Sequence, residues 1–142
     1  MTVTLTHKQK AFLNAHRVGR LATKAGNQIH IVPMCPVFDK GLLYAGSPTP
    51  TRKIANIKRD NRVSILIDQY SEDWSRHVAI LFTGKARLIE RGKEFEYARD
   101  LLEAKYAQYK TMFPIKEGES VIIKINPEKS VWWDYAAGEN VK

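Results

Sequence analysis

A hydroxyl, a guanidinium and an ammonium stand side by side at Thr51-Arg52-Lys53, directly after the run Ser47-Pro48-Thr49-Pro50. The residue before each proline is steered away from helix, so regular structure stops in that run and resumes after it. Ile54 and Ile57 then recur among polar neighbours at helical spacing, which predicts a helix from Arg52 to Asp60 with Thr51 as its N-cap. A helix start offers unpaired N–H donors and the positive end of the backbone dipole, and the three side chains add donors suited to a phosphate. The same dipole disfavours cations in a first turn by about 0.3 kcal/mol each, so Arg52 and Lys53 are mildly costly there unless an anion joins them. We read Thr51, Arg52 and Lys53 as an anion site; the alternative is a pair of solvated surface cations.

The elements that must position this trio can be read from the hydrophobic pattern. Thr6 and Gln9 have capping-box spacing, which opens a short helix to about His16. Val18 to Lys24 reads as a strand, Ala25-Gly26-Asn27 as a turn, and Gln28 to Phe38 as a second strand. That strand is apolar on both faces around Val32, Met34 and Cys35, which predicts cover on both sides. Its Pro33 and Pro36 remove ladder donors and imply a bulge, an edge or a place where something other than a strand lies alongside. Leu42 to Gly46 gives a third strand. Arg62 to Gln69 gives a fourth, with Val63, Ile65 and Ile67 facing inward.

After a polar loop from Tyr70 to Arg76 comes a long strand, His77 to Arg91, with a bend expected at Gly84. Phe95, Ala98, Leu101, Leu102 and Tyr106 predict a surface helix over Glu94 to Tyr109. Ser120 to Asn126 and Ser130 to Tyr135 read as two last strands around a turn at Pro127. Six or seven strands joined mostly by short turns, with helices early, midway and late, predict a mainly β, α+β chain: a barrel closed against its edges. The 142 residues are the size of one domain, taken here as 1–142, and 44% hydrophobic residues suffice for a core without metal or disulfide staples.

Composition narrows the function classes. A single cysteine, Cys35, closes no intrachain bridge and has no paired ligand spacing, which favours a reducing compartment. The start of the chain lacks a signal pattern, and the longest apolar run, Val78 to Phe82, is too short to span a bilayer, so the expectation is cytoplasmic. A net charge of +8 favours phosphorylated or acidic ligands.

The segment from Arg52 through Asn56-Ile57 to Val63-Ser64 resembles the split-barrel proteins related to pyridoxamine 5′-phosphate oxidase. In them an Arg-Lys at a helix start precedes an Asn-hydrophobic pair and a Val-Ser strand. Val18 to Thr23, Ile31 to Met34 and Leu43-Tyr44 fall in the expected order, so the resemblance covers roughly Arg17 to Ala86. Asp68-Gln69-Tyr70-Ser71-Glu72-Asp73-Trp74-Ser75-Arg76 further resembles a loop of the subgroup linked to the deazaflavin coenzyme F420.

The resemblance implies an FMN-binding type split β-barrel of six to seven antiparallel strands, a homodimer with the cofactor in a groove at the subunit interface. It implies that Thr51, Arg52 and Lys53 take the cofactor phosphate, that Val32, Pro33, Met34 and Cys35 lie along the ring, and that Trp74 and Arg76 close the pocket from the partner. The implied activity is an oxidoreductase using F420 on a small organic substrate, with FMN as the alternative cofactor. The chain is shorter than the oxidase and lacks its substrate-binding C-terminal segment, which puts pyridoxamine phosphate itself in doubt.

Other residues have plainer readings. His7, His16, His30 and His77 have no carboxylate partner in the pattern and read as structural or surface histidines, leaving no catalytic acid or base assigned. Asp68, Glu72 and Asp73 read as a solvated loop rather than a metal site. Trp132 and Trp133 point to opposite faces of one strand, one toward the core. A competing class is a nucleic-acid-binding barrel with Arg52, Lys53, Lys58, Arg59 and Arg62 as a phosphate track, but the strands lack interleaved aromatic and basic residues. A haem-binding split barrel is a third reading, without an assignable axial ligand.

Overall fold

The computed structural model describes residues 3–140. Helix α1 (His7–Ala15) starts under a complete capping box in which Thr6 Oγ1 accepts from the Gln9 amide and the Gln9 side chain accepts from the Thr6 N–H. Strands β1 (Gly19–Ala25) and β2 (Gln28–Met34) form a hairpin, and β3 (Val37–Asp39) and β4 (Leu42–Pro48) form another. Helix α2 (Arg52–Arg59) leads into the hairpin of β5 (Arg62–Gln69) and β6 (Val78–Ile89). Helices α3 (Lys93–Lys105) and α4 (Gln108–Thr111) precede β7 (Ser120–Asp134) and the short β8 (Glu139–Asn140).

Every strand pairing is antiparallel, in the order β2-β1-β5-β6-β7-β4-β3, with β8 beside β7. The expected single strand over Gln28 to Phe38 is divided, because Pro36 has no N–H to continue a ladder. Its halves are the two edges of the sheet, so the barrel is not closed by hydrogen bonds as expected from the pattern. It is split, and only Cys35 and Pro36 carry the chain from one edge to the other. The fold is α+β, a split barrel.

Alternation sorts the side chains. Leu21, Ile65, Ile67, Ile80, Phe82, Ile123 and Ile125 fill the barrel, with Phe12 and Leu13 of α1 and Ile54 and Ile57 of α2 packed on the same cluster. A second cluster lies under α3, where Phe95, Ala98, Leu102 and Tyr106 cover Val37, Tyr44 and Ile122. Strand β4 separates the two: Leu43 and Ala45 face the barrel, Tyr44 faces α3.

Three local expectations change. The turn at Pro127 is instead a bulge in the continuous β7, where Thr83 pairs with Lys129 and Gly84 with Pro127, leaving Glu128 as the extra residue. Gly84 is required there, since a Cβ would sit 2.1 Å from the Asn126 carbonyl oxygen. The late helix stops at Lys105 rather than Tyr109, because Tyr106 turns out of helical backbone at φ −126°. The third concerns β2. Its inner face packs on the barrel, but its outer face is bare: Ile29 is 73% and Ile31 63% exposed. Register continues this apolar outer face, with Pro33 opposite Arg20, then Leu66, Leu81 and Val131 across β5, β6 and β7. Trp132 is buried against Phe12 with rings edge-on at 5.6 Å, while Trp133, its neighbour on the outer face, is half-buried. No helix among the described residues is long and apolar enough to cross a membrane.

Candidate functional site

Helix α2 is fixed from below. Ile54 and Ile57 are in the barrel core, and the buried Asn56 donates from Nδ2 to the buried Thr23 Oγ1 at 3.0 Å, which ties the helix to β1. Both polar groups are satisfied, so the contact orients the helix instead of costing desolvation. At its far end the Asp60 carboxylate receives Arg62 Nε at 3.0 Å and Nη2 at 2.8 Å, and this hydrogen bonding holds the carboxyl well below the usual range.

The start of α2 is left open. Thr51 has the extended backbone of an N-cap, φ −142° and ψ 164°, yet its side chain makes no capping bond, contrary to the sequence expectation. Its Oγ1 lies 3.4 Å from the Oγ of buried Ser47, which itself donates to the Pro48 carbonyl at 2.8 Å. The first amide engaged by the helix is Ala55, bonded to the Thr51 carbonyl at 3.1 Å, so the N–H groups of residues 52, 53 and 54 have no intrahelical acceptor. No acidic residue stands in the first turn. Among the described residues neither Arg52, which is exposed, nor Lys53, which is half-buried, has an ion-pair partner. Burial lowers the Lys53 ammonium from its ordinary pKa. Two cations without an ion-pair partner among the described residues and three amides without an intrahelical acceptor are donors of the kind that hold an anion, and they fit a phosphate group.

The second predicted segment is less uniform. Pro33 is exposed on the outer face of β2, Val32 is half-buried toward the barrel, Met34 is in the barrel core, and Cys35 packs against the cluster under α3. What this stretch offers a planar ligand is therefore the Pro33 ring and backbone, with Met34 serving the core. The Pro36 carbonyl that ends it is doubly held: Lys105 Nζ donates to it at 3.1 Å and Tyr106 Oη at 2.6 Å. The same ammonium donates to the carbonyls of Leu13 at 3.1 Å and His16 at 2.7 Å, and the same phenol to Arg17 at 2.9 Å. Burial, with the nearby Arg17 charge, lowers the Lys105 pKa to about 8.

Trp74 and Arg76 form a 3-10 turn, Trp74–Arg76, capped by Asp73, whose carboxylate accepts from the Ser75 amide at 3.1 Å and hydroxyl at 2.6 Å. Trp74 is 70% exposed and Arg76 is exposed. Within one chain this turn does not meet the anion site: α2 enters β5 at Arg62, and the turn follows its Gln69 end. No principal cleft among the described residues is lined by both.

The sequence matches the family described as pyridoxamine 5′-phosphate oxidase over residues 5–133. The chain belongs to that family. A Listeria innocua protein assigned by name to pyridoxamine 5′-phosphate oxidase is 26% identical, with a TM-score of 0.70 over 88% of this chain and 94% of that one. The conserved hypothetical protein Rv2991 of Mycobacterium tuberculosis, 22% identical, superposes with a TM-score of 0.81 over 95% of this chain and 88% of its own. A FAD-binding protein of Mesorhizobium loti, also 22% identical, has a TM-score of 0.72 over 92% and 95% of the two chains. These last two show the shared fold. No curated protein sequence matches significantly.

In this member of the pyridoxamine 5′-phosphate oxidase family, two sets of residues around the candidate site were not assigned from sequence. Asn56 was visible as part of the Asn-hydrophobic pair, but its partner Thr23 lies 33 residues away, and only the fold joins them. Lys105 and Tyr106 read as ordinary residues of a surface helix, since carbonyl acceptors have no sequence signature. The two histidines with hydrogen-bonded rings are occupied: His16 at the end of α1 contacts the Phe12 carbonyl and Gln69, and His77 the Ser71 carbonyl at 2.9 Å. Among the described residues no group of three or more histidine, cysteine or carboxylate side chains is placed to hold a metal ion.

Proposed function

We propose that this chain is an oxidoreductase whose chemistry is supplied by a phosphate-bearing deazaflavin, coenzyme F420, acting on a small organic substrate in the cytoplasm. The observation that carries the reading is the start of α2, where two adjacent cations have no ion-pair partner among the described residues and three amides have no intrahelical acceptor. When bound, such a cofactor supplies hydride transfer, and the protein contributes orientation, electrostatics and exclusion of water. Thr51, Arg52 and Lys53 hold its phosphate. Val32 to Cys35 run beside its ring, with exposed Pro33 presenting no N–H that would need a partner. No acid or base is assigned on the protein.

A second copy of the chain completes the site in this reading. The apolar outer face around Ile29, Ile31, Leu66, Leu81 and Val131 is suited to a copy of itself, and the separation of Trp74 and Arg76 from α2 within one chain is resolved if a partner delivers them. The preference for F420 rests on the resemblance of the loop around Trp74. FMN is the second reading, favoured by membership of the oxidase family.

Titration of the purified apo-protein with F420 and FMN in parallel, followed by fluorescence and by the thermal midpoint at two salt concentrations, separates these readings. Tighter F420 binding supports the proposal, and tighter FMN binding supports a flavin oxidase or reductase. Uptake of neither, with nucleic-acid binding that falls steeply with salt or with a haem absorption band, overturns both.

A further inference from the structure

A cavity of about 390 Å³ opens beside the anion site, on the α3 side of β4. Its floor is Gly46 and Ile115: a Cβ on Gly46 would meet the Ile115 side chain at 3.3 Å and the Tyr109 ring at 3.8 Å. Tyr109 makes one wall, its hydroxyl pushed up to about 12 by burial, and it packs edge-on to Tyr106 at 5.9 Å. Met112, 64% exposed, and Phe113, 69% exposed, stand at the rim without a packing role that would account for them.

The uncharged polar side chains in the lining are hydroxyls, of which Ser47 and Ser120 are engaged and Tyr109 is held protonated by burial. Ser47 donates to the Pro48 carbonyl, Ser120 Oγ accepts from the Lys116 amide at 3.1 Å, and Gly46 is in the ladder opposite Ile122. The charged side chains at this cavity, Lys116 and Glu119, are exposed to water and of opposite sign. The cavity therefore offers apolar contact and neutral hydroxyls, with no buried charge to compensate an ionic ligand. Its size is that of a small-molecule site rather than a protein groove. It borders both segments assigned to the cofactor: Ser47, 3.4 Å from Thr51, is in its lining, and Tyr109 shares a packing cluster with Cys35.

We infer that this cavity receives the substrate and that the substrate class is uncharged and largely apolar. The word substrate rests on the function proposed above; the binding itself does not. The chain has three methionines, Met1, Met34 and Met112, so methyl-labelled protein gives a reporter at the rim and a buried control in Met34. The apo-protein is titrated with 2-naphthol and, separately, with naphthalene-1,5-disulfonate, and Phe113→Asp is compared in the same assay.

The expected result is a saturable shift of the Met112 methyl with 2-naphthol, an unmoved Met34, and at least tenfold weaker binding of the disulfonate despite the +8 charge of the chain. Phe113→Asp should weaken 2-naphthol at least fivefold and change cofactor affinity less than twofold. An unmoved Met112 methyl up to the solubility of 2-naphthol, equal binding of the disulfonate, or an indifferent Phe113→Asp each overturns the inference. Binding of 2-naphthol by protein that takes up neither F420 nor FMN upholds the cavity and overturns the redox reading, whereas cofactor uptake without 2-naphthol binding overturns the cavity alone.

Discussion

Replacing Arg52 and Lys53 together by alanine should push cofactor affinity and apo-protein stability in opposite directions. Hydrogen bonds to charged groups contribute roughly 1.5–3 kcal/mol each when well formed. Arg52 is exposed and Lys53 half-buried, so solvent screening places both at or below the low end of that range. A combined loss of about 2–3 kcal/mol follows, roughly 30- to 150-fold in Kd. The unused amides of α2 remain in the variant and keep residual binding. The apo-protein should lose nothing: with no acidic residue in the first turn, removing two cations from the positive end of the helix relieves about 0.3 kcal/mol each. The assay is cofactor titration by fluorescence alongside urea unfolding of the apo form, for the parent and the double variant, at low and moderate salt. Unchanged Kd would refute the phosphate assignment. A parallel fall in apo stability would show that the two side chains serve folding instead.

Light scattering should report a particle near twice the 16.3 kDa chain mass, and Ile31→Glu on the bare face of β2 should shift it toward the monomer; a monomeric parent protein defeats the shared site. Trp74→Ala, at a position 70% exposed, should change cofactor affinity several-fold with a thermal midpoint within about 2 °C, and the reverse pattern would return Trp74 to a packing role. Gly84→Ala should destabilise by about 1–3 kcal/mol in urea unfolding, because the new methyl meets backbone at the bulge, and a neutral effect would mean the bulge is absent. Lys105 titrates near 8 in the folded chain against 10.5 unfolded, so between those values the unfolded chain binds more protons and this residue makes stability rise with pH. Unfolding free energies from pH 8 to 9.5 should therefore climb less steeply in Lys105→Met. Above pH 10 the slope reverses, since Tyr109, raised to about 12, favours the protonated folded form.

The start of α2 was legible in the sequence because its parts are contiguous: a proline-broken loop, a hydroxyl and two cations at one helix start need no tertiary information to be placed together. The strands were legible by alternation, as at Val63, Ile65 and Ile67, all buried in the barrel. Pro127 misled because a buried proline at a bulge and a proline in a turn share the same local chemistry, and only the partner strand with Gly84 distinguishes them. The hydroxyl of Thr51 was expected to cap α2, and the Ser47 side chain drawn up beside it was not foreseeable from spacing alone. Cover was expected on both sides of the strand around Val32, Met34 and Cys35, yet the single chain leaves its outer face bare at Ile29 and Ile31. Lys105 was invisible for the opposite reason, being a polar residue whose partners are all main-chain oxygens from α1 and the turn at Pro36.

The crossing at Cys35 and Pro36 gives the barrel the mechanics of a bound book. Among the described residues no ladder hydrogen bond joins β2 to β3, so side-chain packing and a two-residue spine hold the sheet's two margins together, and parting them would break no rung. The ammonium of Lys105 and the phenol of Tyr106 act as the clasp, gripping one carbonyl on the spine while anchored on α1 and the chain that follows it at Leu13, His16 and Arg17. Amide exchange at the facing margins should therefore report whether that clasp is fastened, well before the rungs themselves give way.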